Sequence, residues 1–235
     1  VKTPMQSGIC TPGCFNLGVV FAKGLGVRKD GARAAALYAK ACEGGDGVGC
    51  FNLGLLFSKG LDVVKDEARA AALYTQACEA GHAVGCSNLG WVFSEGLGVV
   101  KDDARSAASY TKACEGGHAS GCSDLGVMFE KGRGVSKDEA HAAALYTQAC
   151  EAGYAGGCSN LGLVFAKALG VRKDDARAAV LYTKACEGGH AVGCYSLGFA
   201  FARGLGVSKD DARAASAFAR GCALGHSPSC MARQK

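Results

Sequence analysis

Residues 86–121 read CSNLGWVFSEGLGVVKDDARSAASYTKACEGGHASG and contain the pattern from which the fold is predicted. Cys86, Leu89, Gly90 and Phe93 are spaced i, i+3, i+4 and i+7, which places them on one face of an α-helix. The same four residue types recur at these positions in every full repeat of the chain. We therefore expect a first helix whose recurring face packs into the core.

A second helix is predicted after a short loop in the same stretch. Gly96 can adopt the left-handed conformation that ends many helices, and Asp102 is suited to the N-cap of the helix that follows. Alanines then let the two helices approach closely, Tyr110 fills the remaining volume, and Gly116 ends the second helix. The stretch predicts an antiparallel helix pair.

The helix pair recurs with a constant period of 36 residues. Such a period is typical of repeat proteins, in which each unit buries its apolar face against its neighbours. The sequence predicts an all-α fold, a right-handed α-solenoid built as a single repeat domain over residues 1–235. Its parts are an N-terminal cap at 1–13, six helix pairs at about 14–229 and a half-repeat at 230–235.

Thirteen of the fourteen cysteines follow the same period. One opens each first helix, and another stands eight residues earlier, at the end of the preceding second helix. We expect this C-x7-C spacing to form a disulfide across each helix–loop–helix corner between neighbouring repeats. The predicted bridges are Cys42–Cys50, Cys78–Cys86, Cys114–Cys122, Cys150–Cys158, Cys186–Cys194 and Cys222–Cys230.

Zinc binding is the alternative use of so many cysteines. A zinc site needs four ligands within about 2.3 Å of one point, whereas successive cysteine pairs in such a stack lie about 10 Å apart. Disulfides are therefore favoured, an oxidising compartment follows, and neither a metal nor a cofactor is predicted. Cys10 is out of register, and we expect it to pair with Cys14.

Charge and hydropathy limit the classes of partner. The net charge of +5 is modest, and its basic residues alternate with acidic ones at fixed register, which is typical of a solvated surface rather than a nucleic-acid interface. No apolar run approaches the roughly 18 residues of a membrane span. The chain begins at Val1 without a methionine and shows no signal peptide, as expected of a mature form.

Three strings resemble Sel1-like repeats, which are relatives of tetratricopeptide repeats. They are F-N-L-G-x-x-F-x-K-G (15–24 and 51–60), G-L-G-V-x-K-D (24–30 and 96–102) and A-A-A-L-Y-x-x-A-C-E (34–43 and 70–79). The regular C-x7-C spacing resembles the Helicobacter cysteine-rich proteins in particular. This resemblance implies a secreted or periplasmic protein, with the mitochondrial intermembrane space as the alternative location, and it raises penicillin binding or slow β-lactam hydrolysis as an alternative function.

Catalytic residues for that alternative are not apparent. The sequence S-x-x-K occurs once, at Ser109–Lys112, but Ser109 stands where other repeats carry a core-facing leucine, and the companion S-D-N and K-T-G motifs are missing. Four histidines share one register just before a first helix and lie too far apart to share a metal, so we interpret them as structural: His82, His118, His190 and His226. No catalytic residue is predicted.

A second face of the first helices varies between repeats and is the predicted binding groove. This face holds the positions one, five, eight and nine residues after each first-helix cysteine, and we expect it to bind peptides because the corresponding face of tetratricopeptide-like folds does so. The alternative is that the apolar residues at position five pack only between neighbouring helices. The predicted groove residues are Phe15, Val19, Lys23, Phe51, Leu55, Lys59, Ser87, Trp91, Glu95, Ser123, Val127, Lys131, Ser159, Leu163, Lys167, Tyr195, Phe199 and Arg203.

The sequence thus predicts a secreted or periplasmic interaction scaffold that binds a protein or peptide segment. A basic column along the groove favours an acidic partner, and a cell-envelope glycopeptide is a further candidate. Two substitutions interrupt the loop pattern: Ala168 and Asp62 stand where other repeats have glycine. Because alanine tolerates a positive φ poorly, we expect a local rearrangement at 166–170.

Overall fold

The computed structural model describes residues 13–232, and every regular element in this part of the chain is an α-helix. The helices are α1 (Gly13–Lys23), α2 (Gly31–Glu43), α3 (Gly47–Lys59), α4 (Glu67–Glu79), α5 (Ala83–Glu95), α6 (Asp103–Glu115), α7 (Ala119–Lys131), α8 (Glu139–Glu151), α9 (Ala155–Lys167), α10 (Asp175–Glu187), α11 (Ala191–Arg203), α12 (Asp211–Ala223) and α13 (Ser227–Ala232). Odd-numbered helices up to α11 are the first helices of the repeats, and even-numbered helices are the second helices. The predicted all-α repeat fold is confirmed.

The chain divides into two compact units, Val1–His118 and Ala119–Lys235. In unit 1 each helix from α1 to α6 packs on the next, and α3 also touches α5. In unit 2 the same order holds from α7 to α13, and α9 also touches α11. Each unit therefore has the alternating helix pairs expected of an α-solenoid.

Aspartates fix the start of each second helix, as predicted. In all six cases the carboxylate accepts the backbone N–H three residues later at 2.9 Å, which satisfies one of the free donors of the first turn. The capping residues are Asp30, Asp66, Asp102, Asp138, Asp174 and Asp210.

A glycine in each first helix allows the second helix of the same repeat to pack closely. At Gly90 an added Cβ would come within 2.7 Å of the Tyr110 ring, and at Gly198 it would come within 2.5 Å of Phe218. Tyr146 of α8 is fully buried against Gly126 in the same way. The aromatic ring of the second helix therefore occupies space that only glycine leaves open.

Disulfides link consecutive repeats with Cα–Cα distances of 4.4 to 4.7 Å, which lie within the range of native bridges. Five of the predicted pairs are observed: Cys42–Cys50, Cys78–Cys86, Cys150–Cys158, Cys186–Cys194 and Cys222–Cys230. Cys14, Cys114 and Cys122 are also disulfide-bonded, and no cysteine within 13–232 is free. The predicted partner of Cys14, Cys10, lies outside the described residues.

The loops between paired helices contact the preceding repeat. Gly98 and Gly206 lie directly on the backbone at the start of α4 and α10, where any Cβ would overlap with it. Asp62 takes the place of this glycine in the second repeat, with φ of 57°. Its side chain occupies the space beside Gly31, which replaces the acidic residue that begins most other second helices, and it lies 3.7 Å from Lys29 Nζ.

The rearrangement expected at 166–170 does not occur. Ala168 adopts the left-handed conformation itself, with φ of 58° and ψ of 42°, and its N–H donates to the carbonyl of Val164. Gly60, Gly96 and Gly204 cap their helices with the same bond. The expectation was wrong because the helix C-cap and the packed loop hold the backbone in place despite the unfavourable Cβ.

Candidate functional site

A cavity of 430 Å³ opens between the first helices α3 and α5 of unit 1. Second helix α4 forms its floor, and Trp91 of α5 forms one wall, with 51% of its surface exposed. Its lining residues are Leu55, Ser58, Lys59, Lys65, Glu67, Ala70, Tyr74, Asn88, Trp91, Val92 and Leu97. We call this cavity the Trp91 pocket.

Polar groups lie at the edge of the Trp91 pocket. Lys65 Nζ pairs with Glu67 Oε1 at 2.7 Å, and the Tyr74 hydroxyl is 3.3 Å from Ser58 Oγ. Burial raises the pKa of Tyr74, with the Ser58 hydrogen bond acting in the opposite direction, so the phenol stays neutral at ordinary pH. The pocket therefore offers an apolar wall with a charged rim to which Lys59 adds an exposed cation.

Unit 2 repeats this arrangement between α9 and α11, where a cavity of 200 Å³ is present. Phe199 stands at the register of Trp91, but here Tyr195 and Phe218 pack against it with ring centroids 4.8 and 5.6 Å away. Arg203 lies over the Phe199 ring at 5.2 Å. We call this cavity the Phe199 pocket.

Most of the predicted groove residues lie at the surface. The residues nine positions after the cysteine are all exposed, and the residues at position five are partly buried apart from the more exposed Trp91. Ser123 and Ser159 differ, because both are buried and Ser123 Oγ accepts a hydrogen bond from Asn160 Nδ2 at 3.2 Å. These two serines do not line an open groove.

The sequence did not indicate that Lys65, Glu67 and Tyr74 would line the Trp91 pocket. They belong to the loop and to the second helix, whereas the prediction considered only a first-helix face. The sequence did contain one indication of this lining. The tyrosines recur at a fixed position of the second helix, beside the glycine of each first helix, and a residue there can also border the space between neighbouring first helices. The sequence analysis also did not consider Asp124, which replaces a recurring asparagine in α7. Burial raises the pKa of its carboxyl group to about 6.

Three histidines act at helix starts. His82 Nδ1 accepts the N–H of Gly85 at 3.0 Å and caps α5, while His190 Nδ1 accepts that of Gly193 at 3.3 Å and caps α11. His226 Nδ1 is 2.9 Å from Ser229 Oγ. Within residues 13–232, no group of three or more histidine, cysteine or acidic side chains could hold a metal ion.

Ser109, the serine of the S-x-x-K sequence, is buried on α6. Its hydroxyl donates to the carbonyl oxygen of Arg105 at 2.7 Å, within the same helix. Lys112 is one turn away on the exposed side of that helix. The arrangement gives Ser109 a structural hydrogen bond rather than the base that a nucleophilic serine requires.

The stacked helix pairs define an α-solenoid, a helical repeat scaffold. The chain belongs to the Sel1 repeat family, whose sequence profile matches residues 11–46, 47–82, 83–118, 119–154, 155–190 and 191–226. Repeats of this family generally mediate protein interactions. None of the helices described between residues 13 and 232 is long and apolar enough to cross a membrane.

Solved structures with the same fold support this assignment. A Sel1 repeat protein from Oxalobacter formigenes is 30% identical, with a TM-score of 0.82 over 88% of this chain and 83% of that one. A protective antigen of uropathogenic Escherichia coli with an SLR fold is 29% identical, with a TM-score of 0.83 over 93% of this chain. The present chain spans 47% of the length of that antigen.

Helicobacter pylori cysteine rich protein B is 32% identical over 57% of this chain and 96% of its own, with a TM-score of 0.47. A search among curated proteins gave no significant match.

Proposed function

We propose that the protein is an interaction scaffold that binds an extended acidic peptide segment on its first-helix face. The observation that carries this proposal is the Trp91 pocket, in which an exposed tryptophan forms the wall of a 430 Å³ cavity. Tryptophan is among the residues most often found at energetic hot spots of interfaces. An apolar side chain of the partner would enter the pocket beside Trp91.

Basic residues supply the preference for an acidic partner. Lys59 is exposed at the rim of the pocket, and Lys23 stands at the same register one repeat earlier. Such charges increase the rate of encounter with an acidic segment and help to set its register. The disulfide links between repeats keep the helices in place, so little ordering entropy opposes binding.

A secreted or periplasmic location is part of the proposal. Each of the five observed bridges joins cysteines eight residues apart, and structural disulfides of this kind persist in oxidising compartments. The mitochondrial intermembrane space is the alternative location. Trapping of free thiols in the protein isolated from its native cells tests this point: labelling of most cysteines without prior reduction would contradict it.

A displayed library of random dodecapeptides tests the binding proposal. Enriched sequences should combine an aromatic or aliphatic residue with several acidic residues. Because Trp91 is the single tryptophan of the chain, a synthetic peptide of the enriched sequence should change its fluorescence on binding. Calorimetry should then show that Trp91→Ala weakens binding about 30-fold, which corresponds to roughly 2 kcal/mol.

Val100→Ala is the matched control, since Val100 is more exposed than Trp91 and lies in the same unit but outside the pocket. It should leave the affinity unchanged. A second variant, Lys59→Glu, should weaken the binding of acidic peptides and reduce its dependence on salt. Enriched peptides that bind Trp91→Ala as tightly as the native protein would contradict the proposed site.

A further inference from the structure

Each unit also carries a cavity on the opposite, second-helix face. In unit 1 it lies between α4 and α6, with Phe93 of α5 at its floor, and has a volume of 200 Å³. In unit 2 it lies between α10 and α12, with Phe201 of α11 at its floor, and has a volume of 210 Å³. The lining residues occupy the same repeat positions in both, so one site is built twice in the chain.

These two second-helix pockets coincide with a missing leucine. Four repeats carry leucine in the second helix one residue before the buried tyrosine: Leu37, Leu73, Leu145 and Leu181. The repeats that form the pockets carry Ser109 and Ala217 at this position, and both residues line the cavity. In α2 and α4 the leucine Cβ lies close to the glycine of the first helix, as the 3.4 and 3.3 Å approaches of an added Cβ show.

An arginine changes its partner in the same two repeats. Where the leucine is present, Arg33, Arg69 and Arg177 pair with the N-cap aspartate at 3.2 to 3.4 Å. Their guanidinium carbons lie 5.4 to 5.5 Å from the centroid of the first-helix phenylalanine ring.

Where the leucine is missing, Arg105 and Arg213 lie closer to the phenylalanine ring of the first helix. Each lies 4.1 Å from the ring centroid of Phe93 or Phe201, and those rings are only 4% and 5% exposed. Neither arginine forms an ion pair within the described residues, and both residues are exposed and line the pocket. An arginine that forms no ion pair therefore borders a small cavity of mixed polar and apolar lining, and one glutamate, Glu79 in unit 1 and Glu187 in unit 2, lies in the same lining.

The remaining rim carries charges of both signs, because Glu79 lines the pocket of unit 1 and Glu187 that of unit 2. Lys112 lines the pocket of unit 1 and Arg220 that of unit 2, so each lining has two cations and one carboxylate. The same position carries Lys40, Gln76, Gln148 and Lys184 in the leucine-containing repeats. Arg220 donates from Nη2 to the carbonyl oxygen of Glu187 at 3.2 Å, which leaves its other donors at the rim.

We infer that the two second-helix pockets bind a partner peptide that presents a leucine side chain flanked by acidic residues. The leucine methyl groups would occupy the volume that the chain's own leucine fills in other repeats. A flanking carboxylate would pair with the guanidinium of Arg105 or Arg213, which supplies its donors in a rigid planar array. This site does not depend on the first-helix groove, because it lies on the other helices of the repeats.

Titration of the ¹⁵N-labelled protein with acetyl-Gly-Glu-Leu-Glu-Gly-amide, followed by NMR, tests this inference. Saturable amide shifts should appear at 105–112 and at 213–220, with dissociation constants in the millimolar range, about 1 mM. Replacing the leucine of the peptide by glycine, or both glutamates by lysine, should abolish these shifts.

Filling each pocket in turn provides the matched control. Ser109→Leu should remove the shifts at 105–112 and leave those at 213–220, and Ala217→Leu should do the reverse. Both variants should fold, since leucine is the residue found at this position in four other repeats, and circular dichroism should show an unchanged helix content and no lower melting temperature. Arg105→Gln should weaken binding in unit 1 about fivefold, the effect of an exposed ion pair of about 1 kcal/mol.

Two results would overturn the inference. One is the absence of saturable shifts in the native protein at about 10 mM peptide, which would leave the cavities as packing gaps. The other is persistence of the shifts at 105–112 in a correctly folded Ser109→Leu variant.

Discussion

The Trp91 pocket of unit 1 and the Phe199 pocket of unit 2 are built at the same repeat positions, yet they present different surfaces. Tyr195 lies four residues before Phe199 in the same helix and packs edge-on against it, whereas the equivalent residue near Trp91 is Ser87. Phe199 is therefore part of an aromatic cluster, and Trp91 remains half exposed beside a cavity twice as large. The residue four positions earlier thus contributes to whether the side chain at position five is covered by a neighbouring ring or exposed.

The largest expected difference concerns truncation of these two aromatic residues. Phe199→Ala should lower the free energy of unfolding of unit 2 by about 3 kcal/mol, because it removes ring contacts with Tyr195 and Phe218 and leaves a cavity. Trp91→Ala should change the stability of unit 1 by less than about 1 kcal/mol, because half of the side chain is already in water. Urea unfolding followed by circular dichroism measures both, and equal losses would show that Trp91 is a core residue.

Disulfides adjoin the two pockets symmetrically, so their removal should have equal effects. The Cys78–Cys86 bridge precedes Trp91 and the Cys186–Cys194 bridge precedes Phe199, each closing a loop of the same length. Loop-closure entropy predicts a loss of about 2.5 kcal/mol for either double cysteine-to-serine variant. Urea unfolding of the two variants provides the comparison, and a difference above about 1 kcal/mol would indicate that native packing rather than loop length determines the effect.

Histidine caps start both pocket helices, α5 and α11, and should make their stability depend on pH. Burial lowers the pKa of His82, with Asp46 raising and His118 lowering it further, and burial together with His226 lowers the pKa of His190. The folded state therefore favours neutral imidazole, whose Nδ1 can accept the capping bond. This contribution is fully present above the unfolded pKa of about 6.5 and is lost as the pH falls through the lowered folded value.

His82→Asp tests this pH dependence, since Asp46 caps α3 at the same register through Val48 and Gly49. Aspartate stays ionised between about pH 7 and pH 5, so the variant should lose about 1 kcal/mol less than the native protein across that interval. Thermal unfolding at several pH values measures the difference. An identical pH profile for the native protein and the variant would exclude His82 as its source.

The smallest expected effect concerns the C-caps of α3 and α9, the helices that line one side of each pocket. Gly60 and Ala168 both hold the left-handed conformation there. Ala168→Gly should stabilise unit 2 by roughly 0.5–1 kcal/mol, and Gly60→Ala should destabilise unit 1 by a similar amount, because only alanine has a Cβ that disfavours this conformation. Opposite signs in paired melting experiments are the expected outcome, and two losses would show that the Ala168 methyl group contributes favourable packing.

Much of the fold could be predicted from local chemistry repeated at a fixed period. Asp102 is a good cap whatever surrounds it, and cysteines eight residues apart at a helix corner are held within bridging distance by the corner itself. The outcome at Ala168 could not be predicted from its propensity, because bonds formed elsewhere in the loop outweigh the preference of a single residue.

The pockets depend on contacts that a single helix face does not contain. The sequence placed Trp91 and Phe199 at one register but did not distinguish them, since the difference arises from whether a neighbouring ring covers the side chain. It also identified Ser109 as a small residue at a core-facing position. In the repeat that has this cavity, Arg105 lies over the Phe93 ring and does not pair with Asp102, unlike the equivalent arginines of other repeats. No local sequence pattern predicts this difference.

Gly31 and Asp62 reverse the usual arrangement, in which an acidic residue begins the second helix and a glycine lies in the following loop. This reversal limits how repeats can be rearranged within such a chain. The two residues belong to neighbouring repeats and fit each other, as the acidic start of α4 fits Gly98 of the following loop. Suppose that a copy of the second repeat followed a repeat whose second helix begins with an acidic residue, as α4 begins with Glu67. The Asp62 side chain of that copy would then overlap with the backbone at the start of this helix and would lie beside a second carboxylate. Contacts at the junctions between repeats therefore limit which repeats can be duplicated, deleted or exchanged. The sequence of each repeat is matched to the repeat that precedes it.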